Sequence, residues 1–415
     1  MELGKYSFGM GDRFTHQGEA QLTAIIKAKE AGVDITPVWN KSFREHKTVK
    51  TQPVSLRQEA DAAIEALGFT GDYFVDADHI NMSNVQDFLD CSNFFTIDVA
   101  EFIGKKADQA EIDAYMQSAA AYIGELKIPG IDQPFQVTEG ELRAIAETFL
   151  FAVKNAKQIF NHIAEHKGED SFVAEISMDE VEAPQTPVEL FFILHMIGQQ
   201  ELPVRTIAPK FTGRFNKGVD YAGNLAQFAI EFEQDLLVID FAVQKFGLPT
   251  DLKLSVHSGS DKFSIYEPMR TLLRKYDKGV HIKTAGTTWL EELIGLALSG
   301  DEGLSLAKAI YKKALDRFDE LTDPYATVIN VDKAKLPTPA TIDNWNGEQY
   351  ANALRHVEDH PEYNPDFRQL LHCGYKVAAE YGSTYYDALE KHREIIAKNV
   401  TENLFDRHIK RLFLS

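Results

Sequence analysis

Asp72-Tyr-Phe-Val-Asp-Ala-Asp-His79 is a short apolar run that ends in an acid and an imidazole side by side. Read as a buried parallel strand, it sets Asp78 and His79 at the strand's carboxyl end. Neighbouring side chains there point to opposite sides, so that one can bind a metal while the other approaches a substrate. Such a dipeptide is common, and its weight comes from repetition along the chain. The strand candidates in order are Tyr6–Gly11, Ile35–Trp39, Tyr73–Asp76, Phe94–Val99, Phe172–Ile176, Val204–Ala208, Leu252–Val256 and His281–Ala285. Each precedes a helix-compatible stretch, such as Gly18–Ala31 or Tyr221–Phe246, with apolar residues near helical spacing. Alternating short strands and helices predict a parallel sheet. Eight such units predict closure into a (βα)8 TIM-type barrel, with an open doubly wound sheet as the alternative.

Two regions interrupt the regular count. Glu101 to Asp170 reads as a helical insertion or lid after strand four, built around the connector Ile128-Pro-Gly-Ile-Asp-Gln-Pro-Phe135, with a capping-box pattern at Thr138-Glu-Gly-Glu141. Beyond strand eight the chain is mostly helical, broken at Leu336-Pro-Thr-Pro339 and His360-Pro-Glu-Tyr-Asn-Pro365. The expected organisation is a catalytic barrel over residues 1–300 and a helical carboxyl-terminal cap over 301–415.

The 415 residues are 44% hydrophobic, enough for one large decorated domain. Asp and Glu number 63 against 43 Lys and Arg, and the net charge of −20 argues against nucleic acid or an anionic membrane as a partner. An anionic substrate would need a local cluster of cations against that field. Only Cys91 and Cys373 occur, which excludes a disulfide framework and fits a reducing cytoplasm. No apolar run has the length of a membrane span, and the amino terminus lacks the pattern of an export signal. The expected partner is a small molecule, with a homo-oligomer left open.

In a parallel barrel the site is built from strand carboxyl ends and the loops after them. The polar residues there include Asp12, Arg13 and His16 after strand one, Asp78 and His79 at three, and Glu175, Ser177, Asp179 and Glu180 at five. Lys210 follows six, and His257, Ser258, Asp261 and Lys262 follow seven. His79 and His257 are the metal candidates, because both imidazoles follow strand-like runs aimed at one barrel mouth. Glu175 is an acid inside an apolar strand, either a buried ion pair or an acid/base group. Lys210 reads as an anion clamp, with a Schiff-base or surface lysine as alternatives. Val256-His-Ser-Gly-Ser-Asp-Lys262 and Lys283-Thr-Ala-Gly-Thr-Thr288 have the hydroxyls, small residues and cations of anion cradles, although ordinary tight turns use the same residues.

Taken in order, several segments resemble the tagaturonate epimerase family. They are Gly9-Met-Gly-Asp-Arg-Phe14, Tyr73-Phe-Val-Asp-Ala-Asp-His79, Pro209-Lys-Phe-Thr-Gly-Arg-Phe215, Ser255-Val-His-Ser-Gly-Ser-Asp-Lys262 and Asn364-Pro-Asp-Phe-Arg-Gln-Leu-Leu-His-Cys-Gly-Tyr-Lys376. The resemblance implies interconversion of D-tagaturonate and D-fructuronate, epimers at one hydroxyl-bearing carbon, with a divalent cation such as Zn, Mn, Ni or Co. A more distant similarity to metal-dependent class II aldolases implies that His79 and His257 bind the metal and that Asp78 moves a proton. The chain departs from that pattern at Pro209-Lys210, where a histidine would stand, which leaves Glu175 and Asp220 as candidates for the third ligand.

The C4 proton lies β to the ketone and is not acidified by it, so the expected route is retro-aldol cleavage of C3–C4, rotation of the aldehyde and recombination on its other face. Asp78 is the expected base, Glu175 assists, and Arg13, Lys210 and Lys262 are expected to receive the carboxylate or hydroxyls. The rivals are a true aldolase, a neutral ketose 4-epimerase and a non-catalytic sugar-acid binding protein.

Overall fold

The computed structural model describes residues 3–179, 181–284 and 287–414. Its centre is a closed barrel of eight parallel strands: β1 (Tyr6–Gly11), β2 (Ile35–Ser42), β3 (Phe74–Ile80), β4 (Phe94–Asp98), β5 (Val173–Ser177), β6 (Thr206–Ala208), β7 (Lys253–Val256) and β8 (Val280–Lys283). Closure is made by β1, which pairs with β2 on one side and β8 on the other. At the β1–β8 seam a side chain on Gly9 would meet the Lys283 Cα at 3.1 Å, so only glycine lets the two backbones close. Leu3, Val38, Phe74, Phe94 and Val173 form a separate buried cluster near the amino ends of the strands, and this plug leaves polar residues to the opposite mouth.

The strands run further into polar sequence than apolar content predicts. β2 continues through Asn40 and Lys41, and β3 starts one residue late and runs on through Asp78 and His79. The predicted end of strand eight, Ala285, lies outside the described residues. The carboxyl ends carry the functional side chains, so hydrophobicity fades there while the ladder continues.

Outside the barrel lie α1 (Gly18–Glu30), α2 (Phe43–Val49), α3 (Pro53–Leu67), α4 (Gln109–Ala119), α5 (Glu139–Lys167), α6 (Pro187–Gln199), α7 (Leu225–Phe246), α8 (Phe263–Lys275) and α9 (Thr287–Leu298). The region expected as an insertion or lid holds α4, α5 and an antiparallel ribbon, Gly124–Leu126 with Phe135–Val137, whose tip is the expected irregular connector. Thr138 caps α5 as its sequence predicts, with its Oγ1 accepting from the Glu141 amide at 3.1 Å. α5 packs on β4, α4 and α6 in the outer layer of the β4–β5 crossover.

After α9 the chain forms short helices from Asp301–Asp316 to Arg393–Glu402 and a final wide-turned π-type helix, Asn403–Leu414. They pack on α1, α8 and above all α9, whose residues Thr287 through Ala297 are all buried. A helix buried on every side, Glu291 and Glu292 included, needs cover on every side, and the barrel and the tail supply it together. Cys91 and Cys373 are free and buried, and among the described residues no helix is long and apolar enough to cross a membrane.

Candidate active site

The Asp78-His79 pair does not splay as an ideal strand would. The β3–β4 register shifts between Ala77 and Ile80, and His79 takes the left-handed conformation with φ of 57°. That irregularity turns neighbouring side chains toward the same mouth and lets them touch, with His79 Nδ1 2.6 Å from Asp78 Oδ1. A carboxylate only accepts, so the imidazole donates from Nδ1 and presents Nε2. His257 is arranged in the opposite sense. Its Nε2 lies 2.6 Å from Glu175 Oε1, which leaves Nδ1 to face outward.

The two outward nitrogens meet one carboxylate. Asp179 Oδ1 lies 3.0 Å from His257 Nδ1 and 3.6 Å from His79 Nε2, and the two imidazole rings are 5.2 Å apart. Asp179 is steadied by the Ser177 hydroxyl, which donates to its Oδ1 at 2.6 Å. His79, Asp179 and His257 form the one group of His, Cys, Asp and Glu among the described residues that can offer three ligand atoms within 4.8 Å of one another. Asp179 thus stands where Glu175 or Asp220 was expected. Glu175 is spent on orienting His257, and Asp220 accepts from the backbone and hydroxyl of Ser264 at the start of α8.

The fit to a divalent cation rests on the orphaned atoms. His79 Nε2 and His257 Nδ1 are both buried and face Asp179 Oδ1 as ion-pair contacts without a well-angled hydrogen bond among the described residues, an arrangement that a shared cation would complete. Two imidazoles and a carboxylate, with each imidazole backed by a second carboxylate, form the donor set and supporting shell of Zn, Mn, Ni or Co sites. Burial disfavours a charged imidazole at both positions, yet the facing carboxylates outweigh it. They push His257 up to about 9 and His79 well above its ordinary value. The surroundings therefore stabilise positive charge at this point.

Lys283 holds the supporting shell together. It is buried at the end of β8, with Nζ 2.8 Å from Asp76 Oδ2, 2.8 Å from Asp78 Oδ1 and 3.5 Å from Glu175 Oε1, and it donates to the Thr96 hydroxyl. Burial works against ionising these acids. The Lys283 ammonium and the neighbouring imidazoles overcome it at Asp78 and Glu175, whose pKa values lie well below the usual range. At Asp76 burial wins, pushing it up to about 6 despite Lys283. The acids in turn hold Lys283 above its ordinary value. Asp78, whose Oδ2 takes part in no hydrogen bond among the described residues, is one of the residues that line the cavity.

That cavity, of about 480 Å³, is lined by Asp78, His79, Asp179, His257, Ser258 and Lys283 on the strand ends. Arg13, Arg44, Lys47, Lys217 and Tyr325 also face it, and Tyr325 comes from the tail. The expected substrate residues divide. Arg13 lines the cavity, with Nε 3.1 Å from Glu45, Nη1 donating to the His372 carbonyl at 2.7 Å, and its guanidinium 4.0 Å over the Tyr375 ring. Lys210 and Lys262 do not line it. Lys210 Nζ donates to the Val181 carbonyl, and buried Lys262 donates to the carbonyls of Asn216, Val219 and Ser260. The expected cradle after β7 is closed as well, since the Gly259 and Asp261 amides donate to the Lys283 carbonyl and to His408 Nε2. Glu180, Ala285 and Gly286 lie outside the described residues. Asp12 serves as a turn acceptor, taking the amides of Phe14, Thr15, His16 and Gln17 ahead of α1.

In the sequence Lys283 reads only as part of a possible anion cradle and Asp76 only as one polar residue at the end of strand three, while Lys217 stands in no motif. For the first two a signal existed, because Asp76, Glu175 and Lys283 are ionisable residues inside apolar strands and must pair with one another. Lys217 had none.

Comparison with known proteins identifies the family. A family model described as tagaturonate epimerase (UxaE) matches residues 1–412. The tagaturonate/fructuronate epimerase of Thermotoga maritima is 26% identical, with the match covering 98% of this chain and 79% of that protein. Crystal structures of the fructuronate-tagaturonate epimerase of Cohnella laeviribosi share the fold. The form complexed with one glycerol superposes with a TM-score of 0.81 at 22% identity and the native form with 0.78 at 23%, each over 98% of this chain and 81% of that one. The chain belongs to the tagaturonate epimerase family.

Proposed function

We propose that the chain is a metal-dependent isomerase that interconverts D-tagaturonate and D-fructuronate by inversion at C4. The observation that carries this reading is the pair of orphaned imidazole nitrogens, His79 Nε2 and His257 Nδ1, converging on Asp179 at the wall of a sugar-sized cavity. His79, His257 and Asp179 would hold the divalent cation, which when bound would supply Lewis-acid stabilisation of negative charge developing on substrate oxygens.

The protein's own groups handle the proton. Asp78 is ionised, fixed through Oδ1 by His79 and Lys283, and lines the cavity with its Oδ2 free of hydrogen bonds among the described residues. It accepts the C4 hydroxyl proton as the C3–C4 bond breaks to give an aldehyde and an enediolate fragment. The aldehyde presents its other face, the bond re-forms, and the same proton returns to the C4 oxygen, so atoms and charge balance over the cycle. Glu175 keeps the His257 ring in its working orientation, and Lys283 keeps Asp78 and Glu175 in place. Walls drawn from both barrel and tail keep the fragments from escaping.

Incubating the metal-loaded protein with tagaturonate, fructuronate, tagatose and fructose, and following each by carbon NMR, tests the reading. Interconversion of the two uronates supports it. Accumulation of three-carbon fragments would mean an aldolase, and turnover confined to the neutral sugars would mean a ketose 4-epimerase.

A further inference from the structure

The protein carries a net charge of −20, so a sugar acid entering the cavity must meet a cation whose charge is not already spent. Most of the cavity's cations are committed. Lys283 faces three carboxylates, Arg13 faces Glu45, and Arg44 lies 5.4 Å over the Tyr325 ring. Lys47 is exposed on the α2 surface, 4.2 Å over the Phe43 ring. Lys217 differs from all of these. It is half-buried, it lines the cavity, and its ammonium has no ion pair or hydrogen bond among the described residues.

Its backbone is held firmly. The Lys217 amide donates to the Val328 carbonyl at 2.8 Å, Lys262 Nζ takes the Asn216 and Val219 carbonyls at 2.7 Å each, and Arg368 Nε takes the Gly218 carbonyl at 2.6 Å. Lys262 and Arg368 are both completely buried. Two buried cations thus each donate to the main chain of one loop, and the cation that this loop presents to the cavity has no ion pair or hydrogen bond among the described residues. Such a group binds an anion with little ordering cost, because its attachment point is already fixed.

We propose that Lys217 receives the carboxylate of the sugar acid and so sets the preference of this cavity for anionic substrates. The assignment deepens the proposed function and rests on it. Lys262 then acts at one remove, by shaping the loop rather than by touching substrate.

The test is calorimetric binding of D-tagaturonate, together with its kcat and KM, in wild type, Lys217→Met, Lys217→Gln and Lys217→Arg. Divalent-metal affinity and circular dichroism are read on each protein. A charge-assisted hydrogen bond to a carboxylate sets the expected loss at about 10- to 100-fold in uronate affinity for the Met and Gln variants. Metal affinity and fold should be unchanged, and Lys217→Arg should stay within a few fold of wild type. Unchanged uronate affinity in Lys217→Met, or an Arg variant as damaged as the Met variant, overturns the assignment. A wild-type protein that binds tagaturonate without converting it overturns the proposed function while the binding series still decides Lys217. A wild type that does not bind the uronate overturns both.

Discussion

At Lys283 a single ammonium, almost without solvent, answers Asp76, Asp78 and Glu175, and two of those acids orient the histidines that face Asp179. Lys283→Met should lower divalent-metal affinity by about 10- to 100-fold, read by calorimetry, because the partners behind the ligands lose their anchor. It should also cost about 3–5 kcal/mol of stability in chemical denaturation, since it strands buried carboxylates. Adding Asp76→Asn should recover part of that loss. His79→Ala and His257→Ala should each abolish tight metal binding, measured as metal content after dialysis. Asp78→Asn should cost about tenfold in metal affinity but far more in turnover, because Asp78 supports His79 and, in the proposed mechanism, moves the proton. Asp179 stood among the strand-end polar residues in sequence with nothing to single it out. Its role depends on a meeting of three strand ends that no local pattern records.

The elements were legible where apolar periodicity decides them and less so where polar residues continue a strand. All eight strands and the barrel order follow from the alternation, but β2 and β3 overrun their apolar stretches at Asn40-Lys41 and Asp78-His79. The left-handed turn at His79 could not be read from composition, since histidine rarely adopts it without tertiary support. At the junction of α1 and α3, the Glu59 carboxylate accepts the Gly18 amide at 2.8 Å, and burial with Asp12 nearby pushes its pKa up to about 7 from 4.5. The raised value means that the folded state favours neutral Glu59. This contribution to stability is complete below about pH 4.5 and is lost as the pH rises through 7. Glu59→Gln keeps the acceptor without the charge. It should raise the melting temperature at pH 8 and leave it nearly unchanged near pH 4.5, an effect of about 1–2 kcal/mol after allowance for the partial exposure of the side chain.

Across the whole molecule the tail completes the site. Arg368, from the helix Pro365–Cys373, donates from Nη2 to both carboxylate oxygens of Asp261 at 3.0 and 3.1 Å, and His356 Nδ1 lies 3.3 Å from the same carboxylate. The pair ties the loop after His257 to the tail, and the same arginine holds Gly218 beside Lys217. Arg368→Met should cost about 3–5 kcal/mol in chemical denaturation, as expected when one partner of a buried pair is removed. At permissive temperature it should also weaken tagaturonate binding. The sequence showed a helical tail but not that it reaches into the cavity through Tyr325, because contacts across hundreds of residues leave no trace in spacing. As proposed, this assembled site inverts C4 by breaking and remaking C3–C4, with the C4–H bond intact throughout. Carbon NMR of tagaturonate turned over by the metal-loaded protein in deuterated water tests it directly. Fructuronate should appear with no deuterium at C4, and deuterium at C4 or the absence of fructuronate would contradict the account.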